Sequence, residues 1–365
     1  MSDLVRANAY YPPPESRGGW RWLRSADEIR AVAGVDPDGL DLWAELQSLN
    51  YGGYSWSVAV IRRGYLVREA ASFNVLSASR FDIWSGTKAF TATAWGLLLE
   101  GDLPRRDPQA PRVTLGSPIY GIIPEGYPLT DPRKTSITVG QVLSMTGGFR
   151  GESSGAIGTA TALGAGPYEH VLGRAPNRTG VWVDKLAAGP GTQWEYSDPG
   201  YAHLSLAFFH ATGREIADVV QGRVLKPIGI EHATWDVQGG GGLLGPHTNA
   251  HTGLHMSSRD LARFGYLAMH GGVWQETHLV PARWQEMATR PSQALNPAYG
   301  LGWWTNARDA YIPSLPKDLF ALAGFAGNRC YVVPSLDLVV ARVGTGPFVL
   351  DDRSFIAPVI NAILE

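Results

Sequence analysis

The hydrophobic positions of the chain follow a strand pattern near both ends and a helix pattern between them. Near the N-terminus, the runs 55–61 and 65–70 are rich in β-branched and aromatic residues, and residues 62–64 join them as a hairpin. Three further strand-like runs occupy the C-terminal part, at 319–323, 330–333 and 336–343. Strands at both ends with helices between them predict one antiparallel sheet built from both termini, together with an inserted helical region.

Helices are predicted where apolar residues recur at helical spacing. These segments are 41–48, 89–99, 201–212, 215–225, 261–270 and 355–364. Segment 89–99 is apolar on every side, which predicts a helix buried in the core, and Gly101 ends it. Ser257 is the expected N-cap of segment 261–270, with Asp260 at the position of a capping-box acid.

The change of pattern along the chain predicts three regions. Residues 1–50 form an N-terminal arm and helix. Residues 51–102 and 250–365 together form an α/β sheet domain. Residues 103–249 form an inserted, mainly helical domain, because this part is rich in glycine, proline and polar residues and contains only short apolar runs.

Composition excludes several classes of function. A net charge of -2 over 365 residues gives no basic surface for nucleic acid. The N-terminus lacks a basic stretch leading into an apolar run, and no stretch approaches about eighteen consecutive apolar residues. We therefore expect a cytoplasmic protein without a membrane partner. The single cysteine, Cys330, excludes an internal disulfide and is expected to be a buried structural thiol.

The strongest chemical signal is Ser85-Gly86-Thr87-Lys88, at the start of the apolar segment 89–99. Residues three apart lie one turn apart on the same helix face, so the hydroxyl and the amine can meet. A serine becomes nucleophilic when a base takes its proton, and a buried lysine can be that base. A second Ser-x-x-Lys occurs at Ser314 and Lys317, but Pro316 prevents a regular turn there.

Two loops are candidate partners for Ser85 and Lys88. Tyr196 lies in a loop bounded by glycine and proline just before the predicted helix 201–212, and a tyrosine beside a lysine can transfer a proton. The strand 319–323 continues into Gly324-Phe325-Ala326-Gly327, whose small residues let backbone N–H groups approach a substrate closely. Such a strand end can supply one oxyanion donor, with the N–H of Ser85 as the other.

These motifs occur in one order with several others. In sequence they are Ser85-x-x-Lys88, Tyr196-Ser197-Asp198, Gly253-Leu254 leading into Ser258-x-Asp260-Leu261-Ala262-Arg263-Phe264-Gly265, Tyr299-Gly300-Leu301-Gly302-Trp303-Trp304, and Val332-Val333-Pro334-x-Leu336-Asp337-Leu338. From about residue 50 to the C-terminus, the chain resembles the class C β-lactamase-related serine hydrolases. That family includes esterases, D-amino-acid amidases, penicillin-binding carboxypeptidases and 6-aminohexanoate-dimer hydrolases. The resemblance implies an α+β, β-lactamase/transpeptidase-like fold, in which helices flank a five-stranded antiparallel sheet and the site lies against a helical second domain.

The same resemblance implies roles for individual residues. Ser85 is the acylated nucleophile, Lys88 its proton acceptor, and Tyr196 the acid and base for the leaving group and the deacylating water. The N–H groups of Ser85 and Phe325 form the oxyanion hole. The residues expected to contact or border the substrate are Trp84, Asp198, Gly324 and His255. The partner is a small ester or amide, the reaction needs no metal or cofactor, and assembly into a homo-oligomer is left open.

Two positions depart from the family pattern. The family's Tyr-x-Asn motif ends here in Asp198, which accepts but does not donate hydrogen bonds when ionised. The third motif, usually Lys or His before Thr-Gly, aligns with Leu322-Ala323-Gly324, so the cation that helps to hold a β-lactam carboxylate is missing; Arg329 is a candidate replacement. Both departures favour a carboxylesterase or small-amide hydrolase. The alternatives are a β-lactamase or D-Ala-D-Ala carboxypeptidase, and a non-catalytic binding homologue.

Two further patterns are weaker. Residues 151–155 match Gly-x-Ser-x-Gly, but the strand and helix that must flank this nucleophile elbow are not predicted there. His247, His251 and His255 recur every four residues, as metal ligands on one helix face do. Neighbouring glycines and a proline argue against a helix, and no carboxylate completes the set, so we do not predict a metal site.

Overall fold

The computed structural model describes residues 10–161, 165–239, 244–346 and 350–364. Within these ranges, seven strands form a central sheet. They are β1 (Arg21–Trp22), β2 (Trp56–Arg62), β3 (Tyr65–Ala71), β4 (Trp304–Thr305), β5 (Phe320–Gly324), β6 (Asn328–Val333) and β7 (Leu338–Gly344). Their order across the sheet is β1-β3-β2-β7-β6-β5-β4. The two ends of the chain therefore meet in the middle of the sheet, where Val60 of β2 lies opposite Val340 of β7.

The five long strands of these seven, β3, β2, β7, β6 and β5, are antiparallel, as predicted. A two-residue strand extends the sheet at each edge: β4 is antiparallel to β5, whereas β1 is parallel to β3. The predicted hairpin between β2 and β3 forms because Arg63 and Gly64 both adopt positive φ, 52° and 75°. This is the geometry of the type I′ turn, whose twist matches that of the strands.

Nine α-helices of five or more residues lie in the described ranges. They are α1 (Pro37–Tyr51), α2 (Thr87–Leu99), α3 (Val139–Leu143), α4 (Pro167–Val171), α5 (Asp198–Thr212), α6 (Ile216–Val220), α7 (Ser258–Met269), α8 (Ala282–Ala288) and α9 (Asp352–Asn361). Helices α1 and α9 cover one face of the sheet, where Trp43 and Phe355 pack with Val58 and Tyr331. Helices α2 and α7 cover the other face, so the sheet lies between two helical layers.

Helix α2 is the centre of the larger hydrophobic cluster. Twelve of its thirteen residues are buried, as its uniformly apolar sequence predicts. Phe90 of α2 stacks on Phe264 of α7, with ring centroids 3.7 Å apart. The same cluster includes Ile137 and Tyr201 from the segment 103–249. The division into a sheet domain and an inserted domain at those boundaries stays a prediction.

Shorter strands pair outside the central sheet. Leu254–Met256 pairs with Phe81–Asp82 on one side and with Thr234–Trp235 on the other. The remaining pairs are Val237–Gln238 with His247–Thr248 and Val273–Trp274 with Thr277–His278. In the first group, Phe81–Asp82 lies just before Ser85 and Leu254–Met256 lies just before α7. Their pairing fixes the backbone that leads into α2.

Some predicted boundaries differ from the observed ones. Strand β7 begins at Leu338 instead of 336, because Pro334–Leu336 forms a 3-10 turn that ends in Asp337 with φ 47°. Helix α1 begins at Pro37, since the carboxylate of Asp36 caps it. The segment predicted as a helix at 215–225 is α-helical to Val220 and then π-helical. Across the described part of the chain, we find no helix with both the length and the apolar character to span a membrane.

Candidate active site

Ser85 lies on a 3-10 turn, Trp84–Gly86, that runs directly into α2. Asp82 anchors this turn, because its Oδ1 accepts the N–H groups of Trp84 at 2.7 Å and of Gly253 at 3.0 Å. Trp84 has φ 50°, a left-handed conformation that costs a bulky residue about 1–3 kcal/mol. Such strain persists only where the surrounding structure imposes it, and here it presents Ser85 at the start of a buried helix.

Lys88 connects the serine to a carboxylate. Its Nζ lies 2.9 Å from Ser85 Oγ, 2.7 Å from Asp198 Oδ1 and 3.3 Å from the carbonyl oxygen of His251. The side chain is 1% exposed. Three acceptors match the three N–H groups of a lysine ammonium, so the arrangement satisfies the protonated form of the amine completely.

Asp198 is the anionic partner in this site. Its Oδ2 accepts the N–H of Gly158 at 3.0 Å, while Oδ1 binds Lys88. Burial by itself raises the pKa of Asp198, but the charge of Lys88, followed by His251 and the hydrogen bonds, lowers it to about 2. The carboxylate is therefore ionised at neutral pH. An amide at this position would remove the carboxylate that contacts Lys88 directly.

Tyr196 approaches the nucleophile from the loop before α5. Burial and then the negative charge of Asp198 raise the pKa of Tyr196 well above its usual value, although a hydrogen bond with Ser85 lowers it. The Nζ of Lys88 lies 4.6 Å from the centroid of the Tyr196 ring, within the range of a cation–π contact. Tyr196 is thus a neutral phenol that can donate a proton beside Ser85.

Three aromatic residues surround Tyr196 and hold its ring in place. Trp304 stacks on it with ring centroids 6.3 Å apart and an interplanar angle of 12°, while Tyr299 and Trp194 contact it edge-on or tilted. Trp304 belongs to β4, so the edge of the sheet supports the loop that carries Tyr196. We did not predict these supporting roles, although Trp303 and Trp304 belong to a recognised motif; side-chain packing across the chain is not visible in a local pattern.

The strand end at Gly324 lies against the nucleophile turn. A Cβ on Gly324 would stand 2.0 Å from the carbonyl oxygen of Ile83 and 3.1 Å from the nitrogen of Gly86, so the close approach requires glycine. The next residue, Phe325, begins the 3-10 turn between β5 and β6. Phe325 and Trp84 are each 42% exposed, and their ring centroids lie 5.2 Å apart. An exposed pair of aromatic residues therefore lies next to the turn that carries Ser85.

The position of the third-motif cation is occupied by an apolar side chain. Leu322 is fully buried and packs against Gly86. Arg329, the candidate replacement, lies opposite Ala323 on β6. Its Nε lies 2.7 Å from Asp352 Oδ1, at the start of α9 on the other face of the sheet. Arg329 thus does not supply a cation at the third-motif position.

The three regularly spaced histidines have different surroundings. His247 binds Glu215 at 2.8 Å, and His255 lies 3.2 Å from Asp236, one third exposed. His251 is buried behind Lys88, and burial lowers the pKa of His251 to about 4. They do not share one ligand set. The geometry brings Ser85, Lys88, Tyr196 and Asp198 together and places Trp84, Gly324 and Phe325 beside them; His255 lies on the neighbouring short strand, and its substrate contact stays a prediction.

The other motif matches lie in loops. Ser314 has φ 68° and its N–H donates to Asp309, so it does not begin a helix. The segment 151–155 contains a 3-10 turn at Glu152–Ser154 and follows a loop. This segment instead supports the loop that carries Tyr196, because the N–H of Glu152 donates to the carbonyl oxygen of Tyr196 at 2.9 Å.

Comparison with known proteins identifies the same architecture. A family model described as Beta-lactamase matches residues 44–364. The structure is similar to a Bacillus anthracis protein assigned as a 6-aminohexanoate-dimer hydrolase (19% identity, TM-score 0.68, covering 99% of this chain and 93% of that chain). It is also similar to a D-stereospecific amidohydrolase from a Streptomyces species (18% identity, TM-score 0.63, covering 89% and 98%).

A third similar structure is the octameric penicillin-binding protein homologue from Pyrococcus abyssi (17% identity, TM-score 0.60, covering 89% of this chain and 76% of that chain). Identities this low show a common fold and leave the substrate open. A search of curated proteins gave no significant match.

Proposed function

The chain belongs to the beta-lactamase family, whose members are hydrolases, and from this premise we propose that it is a serine hydrolase that cleaves an ester or amide bond through an acyl-enzyme. One observation carries the proposal. The Nζ of Lys88 joins Ser85 Oγ to Asp198 at the start of a buried helix, and it lies 4.6 Å from the centroid of the Tyr196 ring, which places Tyr196 beside the same pair. This is the arrangement of nucleophile, proton acceptor and proton donor that acyl transfer requires.

The proposed reaction moves one proton around this group. Ser85 Oγ attacks the substrate carbonyl carbon and passes its proton to the neutral amine of Lys88, and the N–H groups of Ser85 and Phe325 hold the oxyanion. The bond to the leaving group then breaks as Tyr196 donates its proton to the departing alcohol or amine and regains one from Lys88. Water subsequently attacks the ester of Ser85 by the reverse transfers, which releases the acid and restores the enzyme.

Asp198 is paired with Lys88, the proton acceptor of this reaction. The acceptors around Nζ satisfy an ammonium, and an ammonium cannot accept the serine proton. The reactive form therefore has a neutral Lys88. Asp198 contacts this amine at 2.7 Å and stays ionised, so we expect the pH dependence of activity to change when Asp198 is replaced.

The charge distribution and the exposed rings favour an uncharged substrate with an apolar group. Trp84, next to Ser85, and Phe325 are both exposed, and their rings pack edge to face to form one aromatic surface. Leu322 stands in the place of the cation, and Arg329 binds Asp352 on the other face of the sheet. A β-lactam carboxylate would gain no counter-charge from these two positions. Carboxylesterase or small-amide hydrolase activity is therefore preferred over β-lactamase or carboxypeptidase activity.

The direct test compares two serines in matched sequence patterns. We expect Ser85→Ala to lower kcat/KM for p-nitrophenyl esters by about 10³-fold or more, because the nucleophile is removed. Ser314→Ala, in the second Ser-x-x-Lys, should leave turnover unchanged. A fluorophosphonate probe should add to Ser85, as measured by mass spectrometry. Full turnover by Ser85→Ala would contradict the proposal.

A substrate panel separates the remaining activities. It contains short-chain esters, D-amino-acid amides, linear amide dimers and nitrocefin, each measured beside Ser85→Ala. Turnover of nitrocefin above that of neutral esters would identify a β-lactamase. Absence of both turnover and a Ser85 adduct would identify a non-catalytic binding homologue.

Assembly into a homo-oligomer is proposed by analogy alone. The penicillin-binding protein homologue from Pyrococcus abyssi is octameric and has a similar fold. Light scattering coupled to size-exclusion chromatography gives the mass of this protein in solution, and a monomer mass at working concentrations would exclude the analogy.

A further inference from the structure

The peptide group between Gly324 and Phe325 connects the proposed oxyanion hole to the opposite face of the sheet. A trans peptide is planar, so its C=O and N–H bonds point in opposite directions. The carbonyl oxygen of Gly324 accepts a hydrogen bond from Arg329 Nη1 at 2.6 Å. The N–H of Phe325 belongs to the same peptide plane and must point away from the guanidinium. The direction of the carbonyl therefore determines the direction of the donor.

Arg329 is itself held rigidly. Its Nε binds Asp352 Oδ1 at 2.7 Å, and the hydroxyl of Tyr331 donates to the same carboxylate oxygen. The side chain of Arg329 is 11% exposed and that of Asp352 is 22% exposed. Because both the charge pair and its hydrogen bonds are largely removed from water, the guanidinium has little freedom to leave the carbonyl of Gly324.

The rest of the turn is held by separate side chains. Asn328 Nδ2 donates to the carbonyl oxygen of Phe325 at 2.7 Å. Arg342 Nη1 donates to the carbonyl oxygens of Ala326 and Gly327 at 2.9 and 3.0 Å. Ala326 has φ 59°, a conformation that is unfavourable for an alanine without such support. Asn328 and Arg342 thus stabilise the shape of the turn, whereas Arg329 holds the one peptide that carries the proposed oxyanion donor.

We propose that Arg329, fixed by Asp352, is a positioning residue that aims the N–H of Phe325 at the oxyanion. This inference rests on the proposed function. Arg329 is not placed to touch the substrate; it acts through the peptide between Gly324 and Phe325, and its charge also reaches Tyr196. The effect falls on the transition state, because the developing charge depends on the direction of the donor more than a neutral carbonyl does.

The experiment measures kcat and KM separately for a neutral ester. Removing an oxyanion donor outright lowers kcat by about 10²–10³-fold, so a donor that is present but poorly aimed should cost about tenfold to a hundredfold. We expect Arg329→Ala to show such a loss in kcat with KM changed by less than about twofold. Arg283→Ala is the matched control, because Arg283 is 83% exposed and lies on α8.

Chemical rescue distinguishes positioning from general stability. Methylguanidinium added to Arg329→Ala should restore kcat, since it can occupy the space beside Asp352 and bind the carbonyl of Gly324. The same compound should not affect wild-type protein or Arg283→Ala. If Arg329→Ala does not fold, Asp352→Asn decides the question, because the weakened pair should lower kcat in the same way without removing the guanidinium.

The possible outcomes separate this inference from the proposed function. Unchanged kcat in a folded Arg329→Ala, or in Asp352→Asn, would overturn the positioning role while Ser85-dependent turnover continued. A loss confined to KM, or a loss of kcat that methylguanidinium does not rescue, would also overturn it. Absence of a fluorophosphonate adduct on Ser85 in the wild-type protein would instead refute the proposed function.

Discussion

Asp198 is the side chain that most changes the chemistry expected of Ser85 and Lys88. Most of the site follows the pattern of a Ser-x-x-Lys hydrolase, but here a carboxylate occupies the position of a neutral amide. It lies 2.7 Å from Nζ and its pKa is lowered to about 2, so it remains charged over the whole working range of pH. The consequence is a buried ion pair between this carboxylate and Lys88, the proposed proton acceptor.

This ion pair predicts the pH dependence of the enzyme. In Asp198→Asn, a neutral amide replaces the carboxylate that contacts the Lys88 amine at 2.7 Å. We expect the pH of half-maximal kcat/KM to fall by about one unit or more, because an opposite charge at this distance has effects of that size. Asp38→Asn, on the exposed surface of α1, is the control. An unchanged pH profile in Asp198→Asn would show that Asp198 does not control the proton acceptor.

Among the elements, the contact between β5 and the nucleophile turn is the one that builds the site. Strand β5 was predicted from its apolar run, and the turn from its Ser-x-x-Lys pattern. Their contact depends on Gly324, where a Cβ would collide with backbone atoms of Ile83 instead of a side chain that could move. Backbone atoms cannot move aside as the end of a side chain can. A larger residue at position 324 would therefore have to push β5 away from the turn that carries Ser85.

Gly324→Ala adds only one methyl group, but we expect it to lower catalysis strongly. We expect kcat/KM for a neutral ester to fall by about a hundredfold or more, because β5 must move away from Ser85 and carry the Phe325 donor with it. Gly222→Ala is the matched control, since nothing lies within 4 Å of a Cβ built there. That variant should gain about 0.5–1 kcal/mol in the free energy of unfolding. Wild-type kinetics in Gly324→Ala would contradict the assigned contact.

For the whole molecule, two buried histidines connect folding stability to acidity. Burial lowers the pKa of His203 to about 3 and that of His251 to about 4. His203 is fully buried, and its Nε2 lies 2.7 Å from the hydroxyl of Tyr120. In the unfolded chain, histidine binds a proton below about pH 6.5. Between pH 6.5 and 4 the unfolded state therefore binds more protons than the folded state, and stability increases with pH in this window.

We expect the free energy of unfolding to fall by a few kcal/mol between pH 7 and 4.5, since each pKa unit corresponds to about 1.4 kcal/mol. Urea unfolding at several pH values measures this loss. His251→Asn should reduce the slope against pH, whereas His278→Asn, on an exposed strand, should leave it unchanged. Asp198 contributes little in this window, because its lowered pKa keeps it ionised in the folded state. An equal slope in His251→Asn and in the wild-type protein would contradict the burial of a neutral His251.

The sequence by itself determined the features that depend on neighbouring residues. Ser85 and Lys88 meet because a helix places residues three apart on the same face. Strands β2 and β3 and their hairpin follow from two runs rich in β-branched and aromatic residues and from Arg63-Gly64 between them. Helix α2 was predicted as buried because no side of it is polar. These properties are local, since backbone sterics and the period of burial act over a few residues.

The tertiary structure decided which distant residues complete the site. Asp198 is 110 residues from Lys88 in the chain, and the packing of α5 against α2 brings them into contact. Trp304 supports Tyr196 from the sheet edge, and Arg329 lies on the face away from Ser85, where it holds the carbonyl of Gly324 instead of replacing the missing cation. The packing of whole elements and the planarity of a single peptide determine these contacts. A local pattern of residue types encodes neither of them.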